Sequence, residues 1–484
     1  MQIFTYGLVI GIYLIVLLSI GWFIQSKGFQ NIREWALEKG QYSAFALALT
    51  IFATTYSAFT FIGLPGFYYT HGIGTVLYIT ATTLTLAPIC MYIIGKKVVQ
   101  LNKDKVCLTP IELLARRLSG KWVKWFVIFS VGFLILFNIP YVVIQIAGIG
   151  KVLNGLTAGA VSYEISALLV LVAIFIYVEW GGMKGIIWTD IFQGLFGIFL
   201  MTLLTFFFIQ SQWGSLGEMF VQLKATLPDH TTLPGPEGKM TPGYIITAYL
   251  AVGVLSISFI QNFHRLMLFH SKKHVRDTVL GFVVASGIIG TLALLIGLGA
   301  AVAFPGLESG DMAIVEVIKA SPLATTFGDF LGAFFFIAVL TGAMSTADSV
   351  LFTLGTIFTH DFCGKVLGVK FTQKQEKLII KTFILVFLVF CYLLSLNPPE
   401  MIIDLAMVGL SAVAAVAPAF TAVLFSHKVN SQYVVYSLIG AEMAFVGWQW
   451  LGWPTVYGLG AAFWAILVGF VILGMGKLRL AKKA

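Results

Sequence analysis

The second apolar stretch of this 484-residue chain decides its fold, because residues 53–66 read ATTYSAFTFIGLPG. Four small hydroxyl residues lie within seven positions of this run, and Gly63 and Gly66 stand on either side of Pro65. Proline has no backbone N–H and disfavours a helical residue before it. A helix interrupted here leaves carbonyl groups free to coordinate a cation and N–H groups free to face an anion. The alternative is a Pro-kinked helix whose Ser and Thr side chains bond to its own carbonyls.

The rest of the chain has the composition of a membrane protein. Hydrophobic residues make up 59% of it and charged residues only 11%, and the mean hydropathy is +0.94. A soluble chain of this length would carry roughly 25% charged residues. The charges gather between apolar stretches of about twenty residues, the length that crosses a hydrocarbon core about 30 Å thick. We therefore predict an all-α polytopic membrane protein with about thirteen transmembrane helices.

The basic residues test this count and set the orientation. The predicted spans are 4–24, 43–70, 73–98, 121–148, 160–178, 185–212, 243–268, 275–304, 324–362, 374–396, 399–426, 431–451 and 455–477. If the N-terminus is outside, 26 of the 30 Lys and Arg residues fall on the internal side, and Arg265 is one of these 26. This predicts a multi-pass protein of the plasma (inner) membrane with a cytoplasmic C-terminus. It also explains the net charge of +9 without a nucleic-acid partner.

The ninth span carries a cluster of oxygen-bearing side chains. Ser345, Asp348 and Ser349 are spaced i, i+3 and i+4, so they share one helical face, with Gly342 and Thr346 beside them. One carboxylate with several hydroxyls is a hard-oxygen set, which suits an alkali cation and not zinc or copper. A charged residue in a membrane helix is a functional hypothesis by default. Asp348 is alternatively protonated or paired with a basic residue elsewhere.

The sixth span opens with a second acidic candidate, Asp190, in the segment EWGGMKGIIWTDIFQ of residues 179–193. A structural role near the start of that helix is the rival interpretation. Other acidic residues, Glu442 among them, are placed near span ends, where solvated or structural roles are usual. No nucleophile elbow, phosphate loop or zinc motif is present in the sequence, so we expect no enzyme activity and no metal other than an alkali cation.

Three of these segments resemble the solute:sodium symporter family, which includes sodium–glucose, sodium–proline, sodium–pantothenate and sodium–sialic acid carriers. They are the Gly-Leu-Pro-Gly end of the second span (63–66), the 181–193 segment and Met344-Ser345-Thr346. The resemblance implies two inverted five-helix repeats with broken helices, as in the amino-acid-transporter architecture. It divides the chain into a first peripheral helix with an internal loop (1–42), a first repeat (43–212), an external loop (213–242), a second repeat (243–426) and two peripheral helices with an internal tail (427–484).

The resemblance also implies a set of binding residues. It places the family's sodium site on three backbone carbonyls and two hydroxyls, those of Ala53, Tyr56, Gly342, Ser345 and Thr346. A second cation, found in some relatives, falls on Asp190, Ser345, Asp348 and Ser349. In this set Asp348 replaces a hydroxyl of those relatives, which either strengthens the site or turns it toward a proton. The solute falls on the hydroxyls of Thr55, Ser57 and Thr60.

The function expected from this resemblance is sodium-coupled import of a small organic solute by alternating access. We favour a carboxylate such as pantothenate or a monocarboxylate, because hydroxyls of the second span hold the carboxylate in relatives that carry one, and Thr55, Ser57 and Thr60 stand at the matching positions. Residues 398–403 (PPEMII) also resemble the start of the corresponding helix in sodium–pantothenate carriers. Proline carriers have an aspartate at the position of Thr55 and sugar carriers an amide at that of Thr60, so an amino acid or a sugar is the alternative. A second alternative is a proton-coupled carrier that uses Asp348 or Asp190, and a remote alternative is a membrane solute sensor. The expected partners are sodium, the solute and the bilayer, and the oligomeric state stays open.

Sodium binding in this scheme depends on one contact. An unwound stretch near residues 53–57 must meet the hydroxyl pair at 345–346, so that carbonyls and hydroxyls together replace the hydration shell of the ion. The sodium site would be contradicted by a structure in which both segments are unbroken helices, or in which the two segments lie far apart.

Overall fold

The chain is all-helical in a computed structural model that describes residues 2–26, 35, 37, 42–77, 81–102, 107–178, 182–321, 329–426, 428–454 and 456–481. Every predicted span contains helix, and these ranges contain no β-strand. Eight described helices are long and apolar enough to cross a membrane, or up to ten if each of two bent pairs counts as one span. The all-α membrane class is therefore confirmed, and a count of thirteen crossings stays a prediction.

The helices are numbered here in chain order, leaving the single turns at 81–84 and the 3₁₀ segments unnumbered. The first half contains α1 (Gln2–Gln25), α2 (Ala44–Thr55), α3 (Leu64–His71), α4 (Leu86–Leu101), α5 (Pro110–Ala115), α6 (Trp122–Leu156), α7 (Tyr163–Val178), α8 (Gly182–Gln212) and α9 (Leu216–Thr226). The second half contains α10 (Pro242–Gly253), α11 (Leu255–Ser258), α12 (Ile260–Leu266), α13 (Lys272–Ala303), α14 (Ala313–Ala320), α15 (Asp329–Ile357), α16 (Gln373–Ser395), α17 (Ile402–Ala414), α18 (Ala417–Phe425), α19 (Ser431–Trp450) and α20 (Ala461–Ala481). Two segments, Phe59–Gly63 and Phe358–Val366, are π-helical.

Several helices begin at a Ser or Thr that caps the first turn. In each case the side-chain oxygen accepts a hydrogen bond from the backbone N–H three residues later, which stabilises a helix by about 1 kcal/mol. The capping residues of this kind are Ser43, Thr109, Ser215, Thr241, Ser271 and Thr372. The cap on α9 belongs to the predicted external loop 213–242, which is partly helical.

Helix α15 lies at the centre of the bundle. Its most apolar window is 83% buried, compared with 28% for α1 and 33% for α20 at the periphery. It packs against α1, α2, α6, α8 and α12. Residues of a helix buried on all sides must be apolar or have polar partners. The hydroxyls and the carboxylate that the sequence places on α15 therefore face protein and not lipid.

Two spans are broken. The α2–α3 span bends by 69°, and the span that ends in α12 bends by 52°. Each is the first span of one predicted repeat, as two repeats of one architecture require. The repeat boundaries themselves stay a prediction.

A few predicted features need correction or lie outside the described residues. Glu442 is not near a span end, because it lies midway along α19 and is only 2% exposed. Arg265 is not in an internal loop, because it is fully buried in α12. Gly181 and Glu179 of the sixth-span motif lie outside the described residues, as do seven of the basic residues assigned to the internal side: Lys27, Arg33, Lys39, Lys103, Lys105, Lys482 and Lys483.

Candidate functional site

The second span unwinds at Tyr56 and Ser57, eight or nine residues before Pro65. Tyr56 has extended dihedral angles (φ −94°, ψ 104°), and the π-helical segment begins at Phe59. Pro65 lies in the first turn of α3, which continues directly from the π-helical segment, so the helix runs through Pro65 without a break. The predicted break at Pro65 is therefore wrong in position, while an unwound stretch near residues 53–57 is present. The Tyr56 N–H still donates to the carbonyl of Phe52, and the carbonyls after it in α2 need partners from elsewhere.

Hydroxyl groups from other helices reach the carbonyls at this break. Ser345 Oγ on α15 lies 2.9 Å from the carbonyl oxygen of Ala53, and Thr346 Oγ1 lies 3.2 Å from that of Thr54. The Tyr141 hydroxyl on α6 lies 3.3 Å from the carbonyl oxygen of Thr55. These contacts join a helix of the first half to the central helix of the second half.

The structure thus brings the hydroxyls of Ser345 and Thr346 of the predicted sodium site to the end of α2. Ser345 Oγ also lies near two carbonyl oxygens of its own helix, 2.8 Å from that of Thr341 and 3.2 Å from that of Gly342, and Tyr56 is the unwound residue that follows α2. Ser345 and Thr346 are buried. Each hydroxyl that donates its proton to a carbonyl keeps oxygen lone pairs, so the cluster is a set of hard-oxygen donors of the kind that alkali cations take. Sodium binding by these residues stays a prediction.

The predicted solute residues Thr55 and Ser57 lie between the two broken spans. The Asn262 amide nitrogen on α12 is 3.1 Å from Thr55 Oγ1, and the Tyr141 hydroxyl is 3.2 Å from Ser57 Oγ. Thr60 is buried in the π-helical segment just beyond the break, and its backbone N–H lies 2.8 Å from the carbonyl oxygen of Ser57. Thr55 and Ser57 therefore both contact Tyr141, and Thr60 adjoins them through the backbone.

The second break lies at Phe259, with extended dihedral angles (φ −72°, ψ 100°) between α11 and α12. Its ring contacts that of Tyr141, next to the first break, with the ring centroids 4.9 Å apart and the planes tilted by 56°. Gln261 follows two residues later, fully buried, and neither its amide nitrogen nor its amide oxygen has a partner among the described residues. A buried amide without partners is costly. Gln261 is thus an available recognition group one residue before Asn262, which contacts Thr55 of the first break.

The predicted second cation set contains a cation supplied by the protein. Arg265 Nη2 lies 2.7 Å from Asp190 Oδ2 and 2.6 Å from Ser349 Oγ, and both charged side chains have no exposed surface. Arg265 Nε lies 2.8 Å from Thr50 Oγ1, which is itself 2.5 Å from Asp190 Oδ2. The helix-start interpretation of Asp190 is therefore wrong, because this carboxylate is part of a buried ion pair. Ser349 Oγ also lies 3.0 Å from Asp348 Oδ1, so Asp348 adjoins the pair.

Sequence reasoning missed Tyr141, Gln261, Asn262 and Arg265. A signal was present in the run QNFHR of residues 261–265, which puts four polar residues in an otherwise apolar span. The break before that run has no such signal, because neither Pro nor Gly stands at residues 254–260. Tyr141 gave none either, since tyrosine is common in apolar helices.

Comparison with known proteins identifies the family. A model described as the Sodium:solute symporter family matches residues 36–440. The sodium/pantothenate symporter of Haemophilus influenzae is 27% identical over 381 residues, which cover 77% of this chain and 75% of that protein. The sodium/pantothenate symporter of Escherichia coli is 25% identical over 472 residues, 94% of each chain.

Solved structures show the same fold. A Na⁺-coupled sialic acid symporter in a substrate-bound outward-open state matches with a TM-score of 0.78 at 18% identity, over 97% of this chain and 98% of that one. A nucleobase-cation-symport-1 family transporter in a closed conformation matches with a TM-score of 0.56 at 14% identity, over 92% and 95%. The inverted-repeat transporter architecture expected from the sequence is thus the fold of this chain. The chain belongs to the sodium:solute symporter family and is a Na⁺-coupled symporter, not an enzyme.

Proposed function

We propose that the chain imports a small organic anion, a carboxylate such as pantothenate or a monocarboxylate, together with sodium by alternating access. The N-terminus lies outside the plasma (inner) membrane and the C-terminus in the cytoplasm. One observation carries the sodium part of the proposal: the hydroxyls of Ser345 and Thr346 meet the carbonyls at the unwound end of α2.

Sodium binds where this contact forms. The ligands are the carbonyls of Ala53, Tyr56 and Gly342 with the two hydroxyls, so they come from both halves of the chain. An ion at this place ties the broken α2 to α15, and its affinity depends on the distance between them. A conformation that separates the two helices releases the ion, and a conformation that holds them together retains it. Coupling between sodium and solute follows from this dependence.

The solute binds beside the sodium site, between the two breaks. The end of a broken helix presents free N–H groups and a positive dipole, which favour a carboxylate. Thr55 and Ser57 supply hydroxyls there, and Gln261 and Asn262 supply amide groups. Pantothenate carries a carboxylate, an amide and hydroxyls, and two relatives are named for its transport. These features support a carboxylate with further polar groups over a simple monocarboxylate.

The buried Arg265 bears on the number of ions carried. A guanidinium that already balances Asp190 leaves only the charge of Asp348 for a sodium ion in the set Asp190, Ser345, Asp348 and Ser349, and a proton on Asp348 removes that charge as well. One sodium with one monoanion moves no net charge. Uptake in that ratio gains nothing from the membrane potential, whereas a second sodium would add about 2.3 kcal/mol per 100 mV. We therefore propose one sodium per solute.

The sodium site is tested by the double variant Ser345→Ala with Thr346→Ala, reconstituted in proteoliposomes. Loss of two hydroxyl contacts to a charged partner should raise the sodium concentration for half-maximal uptake roughly a hundredfold. Ser437→Ala is the matched control, because its buried hydroxyl bonds to the carbonyl of Gly469 on a peripheral helix. An unchanged sodium requirement in the double variant, with normal protein levels, would refute the site.

The solute site is tested by Gln261→Leu, which keeps the size of the side chain and removes its amide. The variant should raise the KM for radiolabelled pantothenate roughly tenfold, as expected for one lost hydrogen bond of about 1.4 kcal/mol. Its sodium requirement should stay unchanged, opposite to the Ser345 and Thr346 variant. If pantothenate is not transported at all, competition assays with monocarboxylates, amino acids and sugars will identify the class of solute. Uptake that is driven by a pH gradient in the absence of sodium would favour proton coupling over sodium coupling.

A further inference from the structure

A groove between the three last helices lies outside the transport pathway. It encloses a cavity of about 610 Å³ between the end of α18, the start of α19 and the last turns of α20. One wall is apolar and consists of side chains such as Phe425, Phe470 and Leu473. Phe470 is 48% exposed on the outer face of α20, so the groove opens sideways toward the hydrocarbon of the bilayer.

The end of this groove is basic. Lys428 and Lys477 both line it, and no acidic residue is among its described lining residues. Tyr433 also lines it, and its hydroxyl lies 3.5 Å from the Arg479 guanidinium. The sequence adds Lys482 and Lys483 a few residues further on.

The start of α19 adds to the positive potential of the groove. Val429 and Asn430 line the cavity, and α19 runs for 20 residues from Ser431. A helix of this length has a partial positive charge at its N-terminus, where N–H groups favour an anion. Three independent features thus coincide: an apolar channel open to acyl chains, two lysines, and a helix N-terminus.

We propose that this groove binds an acidic phospholipid, with its phosphate between Lys428 and Lys477 and an acyl chain along Phe470 and Leu473. An anionic headgroup satisfies the lysines, and only a lipid also fills the apolar part. The groove lies at the end of the bundle that carries the C-terminus, where positive residues concentrate, and the cytoplasmic leaflet there is rich in acidic lipid. The site holds the two peripheral helices α19 and α20 to α18.

The charge is tested with Lys428→Gln and Lys477→Gln together. Purified full-length protein is titrated with phosphatidylglycerol in detergent, and bound lipid is counted by native mass spectrometry. Each lysine near an anionic headgroup changes affinity about fivefold, so the double variant should bind phosphatidylglycerol roughly thirtyfold more weakly. Lys272→Gln with Lys273→Gln is the control, because it removes two exposed lysines from the start of α13 and should bind the lipid as wild type does.

The acyl chain is tested separately by Gly474→Trp, which leaves both lysines in place. Gly474 lines the groove, and a Cβ added to it meets no atom within 4 Å, so a large side chain fills the groove without moving the backbone. This variant should lose phosphatidylglycerol while transport and folding persist. The proposal would be overturned if phosphatidylcholine bound as tightly as phosphatidylglycerol, or if either groove variant bound phosphatidylglycerol as wild type does. It would also be overturned if millimolar inorganic phosphate displaced the lipid, or if the protein had the mass of a dimer without lipid.

Discussion

The buried Asp190–Arg265 pair gives the sharpest prediction, because removal of one partner leaves the other charge in a dry interior. We consider Asp190→Asn, which keeps the shape of the side chain and removes its charge. Arg265 would keep its contacts with Thr50 and Ser349 but would lose its counter-ion. A buried pair broken on one side costs about 3–5 kcal/mol of stability. Asp190→Asn should therefore lower the free energy of unfolding by that amount.

The assay is chemical unfolding of purified protein in detergent, with and without sodium. Asp404→Asn is the matched control, because Asp404 pairs with Lys239 at 3.3 Å but is 56% exposed. An exposed pair contributes about 0–1 kcal/mol, so this variant should be close to wild type. The double variant Asp190→Leu with Arg265→Met should recover most of the loss, since apolar residues replace both charges.

The same measurement separates an ion pair from a sodium ligand. If Asp190 serves Arg265, the variant loses stability in the absence of sodium, and added sodium stabilises it as much as it stabilises wild type. If Asp190 instead holds an ion, the variant keeps its sodium-free stability and loses the part that sodium adds. Full stability without sodium in Asp190→Asn would refute the reasoning and restore the second cation set.

Two further predictions concern carboxylates away from the transport site. Burial by itself raises the pKa of Glu112 on α5, but the close contact with His360, a hydrogen bond from the Leu108 N–H and the charge of Lys365 lower it from 4.5 to about 2. A lowered pKa contributes stability above pH 4.5, and this stability is lost as the pH falls toward 2. The difference in melting temperature between wild type and Glu112→Gln should therefore be largest near neutral pH and shrink between pH 4.5 and 2. A difference that stays constant with pH would contradict this prediction. Neither carboxylate oxygen of Glu442 has a partner among the described residues, so Glu442→Gln should melt at the same temperature or higher, and a large loss of stability would reveal a missing cationic partner.

The sequence was sufficient to predict the contact between the hydroxyl pair and the unwound span. Hydroxyls in an apolar span are informative because burial forces each of them to find an acceptor. The carbonyls at a break have no N–H partner within their own helix, so they can accept hydrogen bonds from elsewhere. The Ala53 carbonyl is such an acceptor, and the Ser345 hydroxyl is a buried donor that lies beside it. That these two segments meet was implied by the resemblance to the symporter family, and the unsatisfied polar groups of each segment agree with it.

The position of the break could not be read in the same way. Pro65 indicated a break, but a proline in the first turn of a helix is compatible with helix. The chain unwinds at Tyr56 because other helices offer partners there: Gln145 Oε1 accepts from the Ala58 N–H at 2.9 Å, and Tyr141 donates to the Thr55 carbonyl. Both partners lie on α6, more than 80 residues away along the chain. A single sequence does not show which distant side chain makes a break favourable.

Arg265 was misplaced for a related reason, and its true position changes the picture of coupling. Its guanidinium joins Asp190 and Thr50 of the first repeat to Ser349 of the second, and Ser349 lies one helical turn from Ser345. Two cations therefore bridge the same helices in series, a permanent one at Arg265 and an exchangeable one at the proposed sodium site. Loss of a sodium ion from the proposed site would remove only the bridge at Ser345, one turn from the Arg265 bridge at Ser349. The helices should then separate at the Ala53–Ser345 contact while the Arg265 bridge holds, which makes the arginine a pivot for the movement that releases the solute.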